Sequence, residues 1–187
     1  MIQAGLVDVA LVGGADAPCT YGLLKAWEAL RVVSSDTCRP FCKDRSGMVL
    51  GEGSGMLVLE SEEHATRRGA RVYAELAGCG MSSDAGHITR SSVEGIARTM
   101  RSALENAGLA PDAVDYVNAH GTATLANDPA ETAALHQVFG SHASALSISS
   151  TKSMHGHALG ASSALELVAT VLAVHNNLVP PTANFTE

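Results

Sequence analysis

Apolar and polar positions along the chain fall into alternating strand-like and helix-like blocks. Val7 to Val12, VDVALV, is a near-continuous apolar run that stops at Gly13 and Gly14, which predicts a buried strand ending in a tight turn. Tyr21 to Val33 follows with helical character. Ser34 to Gly55, with one proline and four glycines, reads as an ordered loop, and Met56 to Glu60 resumes a strand. Glu62 to Arg68 predicts a short helix with a charged face. Alternation from Val72 to Ser83 predicts another strand, and Val93 to Ala107 an amphipathic helix closed by Gly108. Beyond it lie a strand from Val114 to Gly121, a helix from Pro129 to Phe139, a strand from Ala145 to Thr151 and a long apolar helix from Gly160 to His175. The alternation predicts an α/β protein with a mostly parallel sheet covered on both faces. Its one compositional seam runs from Glu60 to Arg71.

Composition narrows the picture. At 187 residues and 46% hydrophobic content, the chain can bury a substantial core. A spanning helix needs an apolar run of about 18 residues, and neither that nor a basic leader is read in the sequence, so a cytoplasmic protein without a transmembrane segment is expected. A net charge of −7 with 12 Lys and Arg argues against nucleic acid as a partner. Cys19, Cys38, Cys42 and Cys79 form no CxxC pair and are expected to be reduced thiols.

Two passages concentrate chemistry. STKSMHGHALGASSALE (Ser150 to Glu166) and NAHGTATLANDPAE (Asn118 to Glu131) each carry a short strand, a histidine beside a glycine, and a helix start. In α/β sheets such turns sit at the carboxyl ends of strands, where ligands collect. His120 and His157 could there polarise a carbonyl or exchange protons, and Lys152 could hold its charge near Glu166 or Glu131. A packing or surface role for either histidine is the plainer alternative. Zinc is another, since His120, His157, Asp128 and Glu131 are ligand types, but they lack compact ligand spacing. The glycine-rich stretch from Gly47 to Gly55 lacks a P-loop ending and leads into a strand, so it reads as a structural turn.

Taken with GGAD and RPFCKDRSGMVLGEGSGMLVLE, these passages resemble, in order and over nearly the whole chain, the β-ketoacyl-acyl carrier protein synthases, condensing enzymes of the thiolase fold. YGLLKAWEALRVVSSDTCRPF and PPTAN resemble the rhizobial nodulation type more than the housekeeping elongation enzymes. The resemblance implies a layered αβαβα fold, incomplete at both ends, with residues 1–65 from the amino-terminal half and 66–187 from the carboxyl-terminal half. It implies that His120 and His157 bind the thioester carbonyl during decarboxylation of a malonyl extender, and that Lys152 and Glu166 orient the site. Thr122 and Thr124 match residues contacting the phosphopantetheine arm, Trp27 a position lining the acyl pocket, Arg31 a basic position facing the carrier, and Asp128 and Glu131 a structural carboxylate pair. The implied partners are acyl carrier protein and a second copy in a homodimer. No bound cofactor is implied, the phosphopantetheine arm serving only as substrate carrier. None of the four cysteines matches the family's nucleophile, which is expected upstream of Ile2, and the glycine-phenylalanine loop is expected beyond Glu187. A thiolase acting on coenzyme A esters, suggested by GHALGAS, and a non-catalytic chain, either a truncated product or a chain-length-factor-like partner subunit, are the alternatives.

Overall fold

The computed structural model describes residues 1–87 and 89–186. β1 (Val9–Asp16) and β2 (Gly53–Glu60) form an antiparallel ribbon that sets Leu11 beside Val58 and Gly13 beside Met56. β3 (Tyr116–Asn118) and β4 (Ser147–Ser149) form a short parallel pair with Val117 beside Ile148. The α-helices are α1 (Tyr21–Ala29), α2 (Glu62–Arg67), α3 (Val93–Ala107), α4 (Asn127–Phe139), α5 (Lys152–His155) and α6 (Ser162–Asn176).

Local chemistry explains several of these boundaries. The Ser92 hydroxyl accepts the Gly95 N–H to open α3, and Gly108 closes it in the left-handed conformation at φ 67°. The turn before α6 is tied to the GGAD motif, because the Asp16 carboxylate accepts the Gly160 N–H at 3.0 Å.

α6 is the middle of a layered arrangement. One side meets the ribbon, where Gly53 approaches the Leu165 side chain and Gly55 the Ala164 backbone. The other side meets β3 through Asn118, which donates to the Glu166 carbonyl and the Thr170 hydroxyl. Beyond β4, Ile148 shares an apolar recess with Leu135 and His136 of α4, and α3 packs along α4. The order is therefore helices, strand pair, helix, strand pair: four layers of a thiolase-like α/β fold.

Several expected elements differ. The mostly parallel sheet is replaced by one antiparallel and one parallel pair. A parallel neighbour for β1 would need a crossover helix packed on the ribbon, and α1 buries no residue and makes no extensive contact with another element. The predicted buried strand also keeps one face open, since Val9 and Leu11 are exposed while Ala10 and Val12 turn inward. Val72 to Ser83 pairs with no strand among the described residues. It lies instead along α3, with the Gly78 backbone close to Ala103 and Ala107 and the Cys79 N–H donating to the Asn106 side chain. The helix starting at Tyr21 ends at Ala29 rather than Val33, because Arg31 turns to φ 56° and Val33 bridges Met48. The strands expected over 114–121 and 145–151 shrink to three residues each, those in register. Finally, Leu159–Asn176 is long and apolar enough to cross a membrane by length and mean hydropathy alone, although Ser162, Ser163, Glu166 and Thr170 interrupt its apolar residues. In the fold this stretch is the middle layer, and it carries Glu166 to the buried Lys152.

Candidate active site

Lys152 organises the site. Its ammonium is 1% exposed and pairs with the Glu166 carboxylate, one turn into α6. Burial without that partner would leave an uncompensated charge, so the pair fixes α5 against α6.

The two histidines lie beside it. Their rings stand 5.3 Å apart, centroid to centroid, at an interplanar angle of 87°. His157 is held by its backbone, donating to the Val49 carbonyl at 2.7 Å and accepting the Gly51 N–H at 3.0 Å. A side chain at Gly51 would meet the His155 carbonyl at 2.1 Å, which is why the turn from Gly47 to Gly55 needs glycine there and why it serves as a structural support. The His157 Nδ1 accepts the Leu159 N–H at 3.1 Å and lies 2.9 Å from the Ser162 hydroxyl. A nitrogen that accepts cannot carry the proton, so the proton of the neutral ring sits on Nε2.

Glu131 sets the backbone of the other histidine. Its two carboxylate oxygens accept the N–H groups of His120 at 2.7 Å and Gly121 at 2.8 Å. Burial pushes the Glu131 carboxyl up, and these two N–H groups with Asn127 oppose that. Asp128 accepts the Phe41 N–H at 2.8 Å, tying the loop before β2 to the same turn. Both carboxylates are thus engaged with backbone N–H groups. Among the described residues no group of three or more His, Cys, Asp or Glu could hold a metal ion.

Electrostatics keep both rings neutral. Burial, Lys152 and His157 lower His120 to about 3, and burial, Lys152 and His155 lower His157 to about 4. His120 is exposed to solvent, where water screens part of this effect, whereas His157 is half-buried.

The remaining candidates divide. The Thr122 and Thr124 hydroxyls, two and four residues after His120, lie 2.9 Å apart; Thr122 is buried, and Thr124 also accepts the Asn127 N–H at the start of α4. Trp27 sits half-buried on α1, which no hydrogen bond or extensive packing brings to the histidines. Near the compositional seam, outside the candidate set, Arg67 and Arg68 pair with Glu63 and Glu60, and Arg71 lies over Tyr73. Cys38 is buried below the Thr122 carbonyl, and burial pushes its thiol up, the opposite of an activated nucleophile. All four cysteines are free. Sequence reasoning did not single out Ser162, Phe41 or Asn118; five-residue spacing from His157 was the only trace of Ser162.

Comparison with known proteins agrees with this geometry. Residues 1–65 match the model of the beta-ketoacyl synthase N-terminal domain, and residues 73–186 that of the C-terminal domain. The chain belongs to the β-ketoacyl synthase family. It is 60% identical over 186 residues to Nodulation protein E of Rhizobium leguminosarum bv. trifolii, covering 100% of this chain and 46% of that one. It is 46% identical over 192 residues to 3-oxoacyl-[acyl-carrier-protein] synthase 2 of Coxiella burnetii, covering 98% of this chain and 46% of the other. A type II polyketide ketosynthase, solved in complex with its acyl-carrier protein and bound to the hexaketide, superposes at a TM-score of 0.96 and 40% identity, covering 99% of this chain and 48% of that one. The chain thus spans about half the length of the relatives it matches. The second of these is named as a synthase and the third as a ketosynthase, and the thiolase alternative is not favoured.

Proposed function

We propose that the chain carries the histidine, histidine and lysine part of a 3-oxoacyl-[acyl-carrier-protein] synthase of the Nodulation protein E type, catalysing decarboxylative condensation of an acyl thioester with malonyl-acyl carrier protein. The observation that carries this reading is the His157 ring. Its Nδ1 is occupied as an acceptor, its Nε2–H has no partner among the described residues, and the His120 ring stands 5.3 Å away. Two neutral imidazoles so placed can both donate to one thioester oxygen. As the malonyl carboxylate leaves as carbon dioxide, the electron pair of the broken bond moves into an enolate whose negative charge gathers on that oxygen. Burial keeps both rings unprotonated, and the Lys152 ammonium adds to this and supplies a positive potential that favours the developing charge.

The acyl group being extended needs a nucleophile, and none of the four cysteines here is assigned that role. Thr122 and Thr124 would meet the phosphopantetheine arm of the carrier beside His120. Trp27 would reach the acyl chain only if α1 packs against the pocket in the assembled enzyme, and a homodimer is the assembly the resemblance implies.

The test is a malonyl-carrier decarboxylation and elongation assay on the protein expressed from its native reading frame. Carbon dioxide release and the mass of the carrier-bound product are read together. Replacing His157 with Ala is expected to lower kcat about 100- to 1,000-fold, the usual loss for one oxyanion donor. Undiminished carbon dioxide release by the variant would overturn the reading.

A further inference from the structure

The geometry points to Asn118 as a positioning residue that holds the Lys152–Glu166 ion pair in place, an inference resting on the function proposed above. Asn118 is the last residue of β3 and directs its carboxamide toward α6. Its Nδ2 lies 3.2 Å from the Thr170 hydroxyl, 3.3 Å from the Glu166 carbonyl and 3.4 Å from the Thr151 hydroxyl. Its Oδ1 lies 3.4 Å from the same Thr151 hydroxyl, which can donate to it. One side chain therefore touches both arms of the pair, because Thr151 immediately precedes Lys152 and Glu166 supplies the carboxylate.

Among the described residues no other side chain hydrogen-bonds to both Thr151 and Glu166. Among the described residues every hydrogen bond between β3 and α6 passes through this carboxamide. The Thr170 hydroxyl in turn donates to the Glu166 carbonyl at 2.8 Å, and the His155 Nε2 reaches the Thr151 hydroxyl at 3.1 Å, so the carboxamide sits in a braced polar cluster. Asn118 also lies two residues before His120, which places one anchor at the meeting point of β3, α5 and α6. An aliphatic side chain of the same size would fill the space and remove the links from β3 to Thr151 and to the Glu166 carbonyl, leaving the ion pair as the direct tie between its two arms. A misplacement of about 1 Å at a catalytic group can lower a rate about 100-fold.

The experiment is a double-mutant cycle on the protein expressed from its native reading frame, with carbon dioxide release from malonyl-acyl carrier protein as readout. Asn118→Leu is expected to lower kcat about 10- to 100-fold with the KM for the carrier substrate unchanged. In a Glu166→Gln background, where the ion pair is already gone, the same change is expected to lower kcat less than about twofold. Asn118→Gln and Asn118→Ser, which keep polar atoms there, should recover part of the loss. Equal losses in both backgrounds, or full activity in Asn118→Leu, would overturn the proposal. If Asn118→Leu does not fold, Thr151→Val cuts the Lys152 arm alone, and the same non-additivity is required of it. The proposed function fails separately: in that case neither His157→Ala nor Glu166→Gln changes carbon dioxide release.

Discussion

At the scale of single residues, Gly121 and His157 show how little freedom the site has. Gly121 sits at φ 40°, and a side chain there would lie 2.5 Å from the Ser150 Cβ and 3.0 Å from the Phe41 ring. Gly121→Ala combines backbone strain with overpacking and is expected to destabilise the fold by about 2–4 kcal/mol, read as a lowered urea midpoint; an unchanged midpoint would show that the turn can relax. For His157 the sign of the pH effect follows from a folded value of about 4, below the usual histidine range. The unfolded chain takes up a proton near pH 6.5 that the folded chain refuses, so this contribution is intact above pH 6.5 and disappears as pH falls toward 4. Urea midpoints should therefore drop across that interval, and His157→Gln should flatten the drop. Parallel curves for parent and variant would contradict the assigned neutrality.

Elements owe their positions to contacts between distant segments. The amino end of α6 is secured by Asp16, at the far end of β1, through a single hydrogen bond to Gly160 N–H. Asp16→Ala removes that acceptor and is expected to lower stability by about 0.5–2 kcal/mol, with amide exchange at Gly160 accelerating before exchange in α3 does. Uniform acceleration across both helices would mean that the bond anchors nothing locally. The carboxyl-terminal PPTAN segment is held in the same manner: Thr182 accepts the Ser150 N–H, and the Asn184 amide donates to Cys38 and Ser153 carbonyls.

The whole molecule is four layers with an open outer face. On the ribbon Leu11 is 70% and Val58 60% exposed, and near the end of the middle helix Val174 and Leu178 are similarly open. Apolar surface of this extent drives association. The 187-residue chain by itself is expected to sediment as oligomers at micromolar concentration and to bind a hydrophobic dye. A Leu11→Lys, Val58→Lys double variant should shift it toward monomer. A parent chain that sediments as a single monomeric species would refute this.

The sequence by itself determined the helix at 93–107 and, to within two residues at either end, the one at 162–176, because helical periodicity and the Gly108 cap act within a few residues. It also marked His120, His157, Lys152 and Glu166, since their motifs are contiguous and put each beside a glycine turn or a helix start. Tertiary structure alone decided the rest. The antiparallel course of β2, the failure of 72–83 to pair and the open face of β1 depend on which segments find partners, and alternation in sequence is the same with or without one. The proton position on His157 depends on Leu159 and Ser162 folding back onto its ring. The role inferred for Asn118 depends on hydrogen bonds to residues 33 to 52 positions away, a separation at which local pattern carries no information.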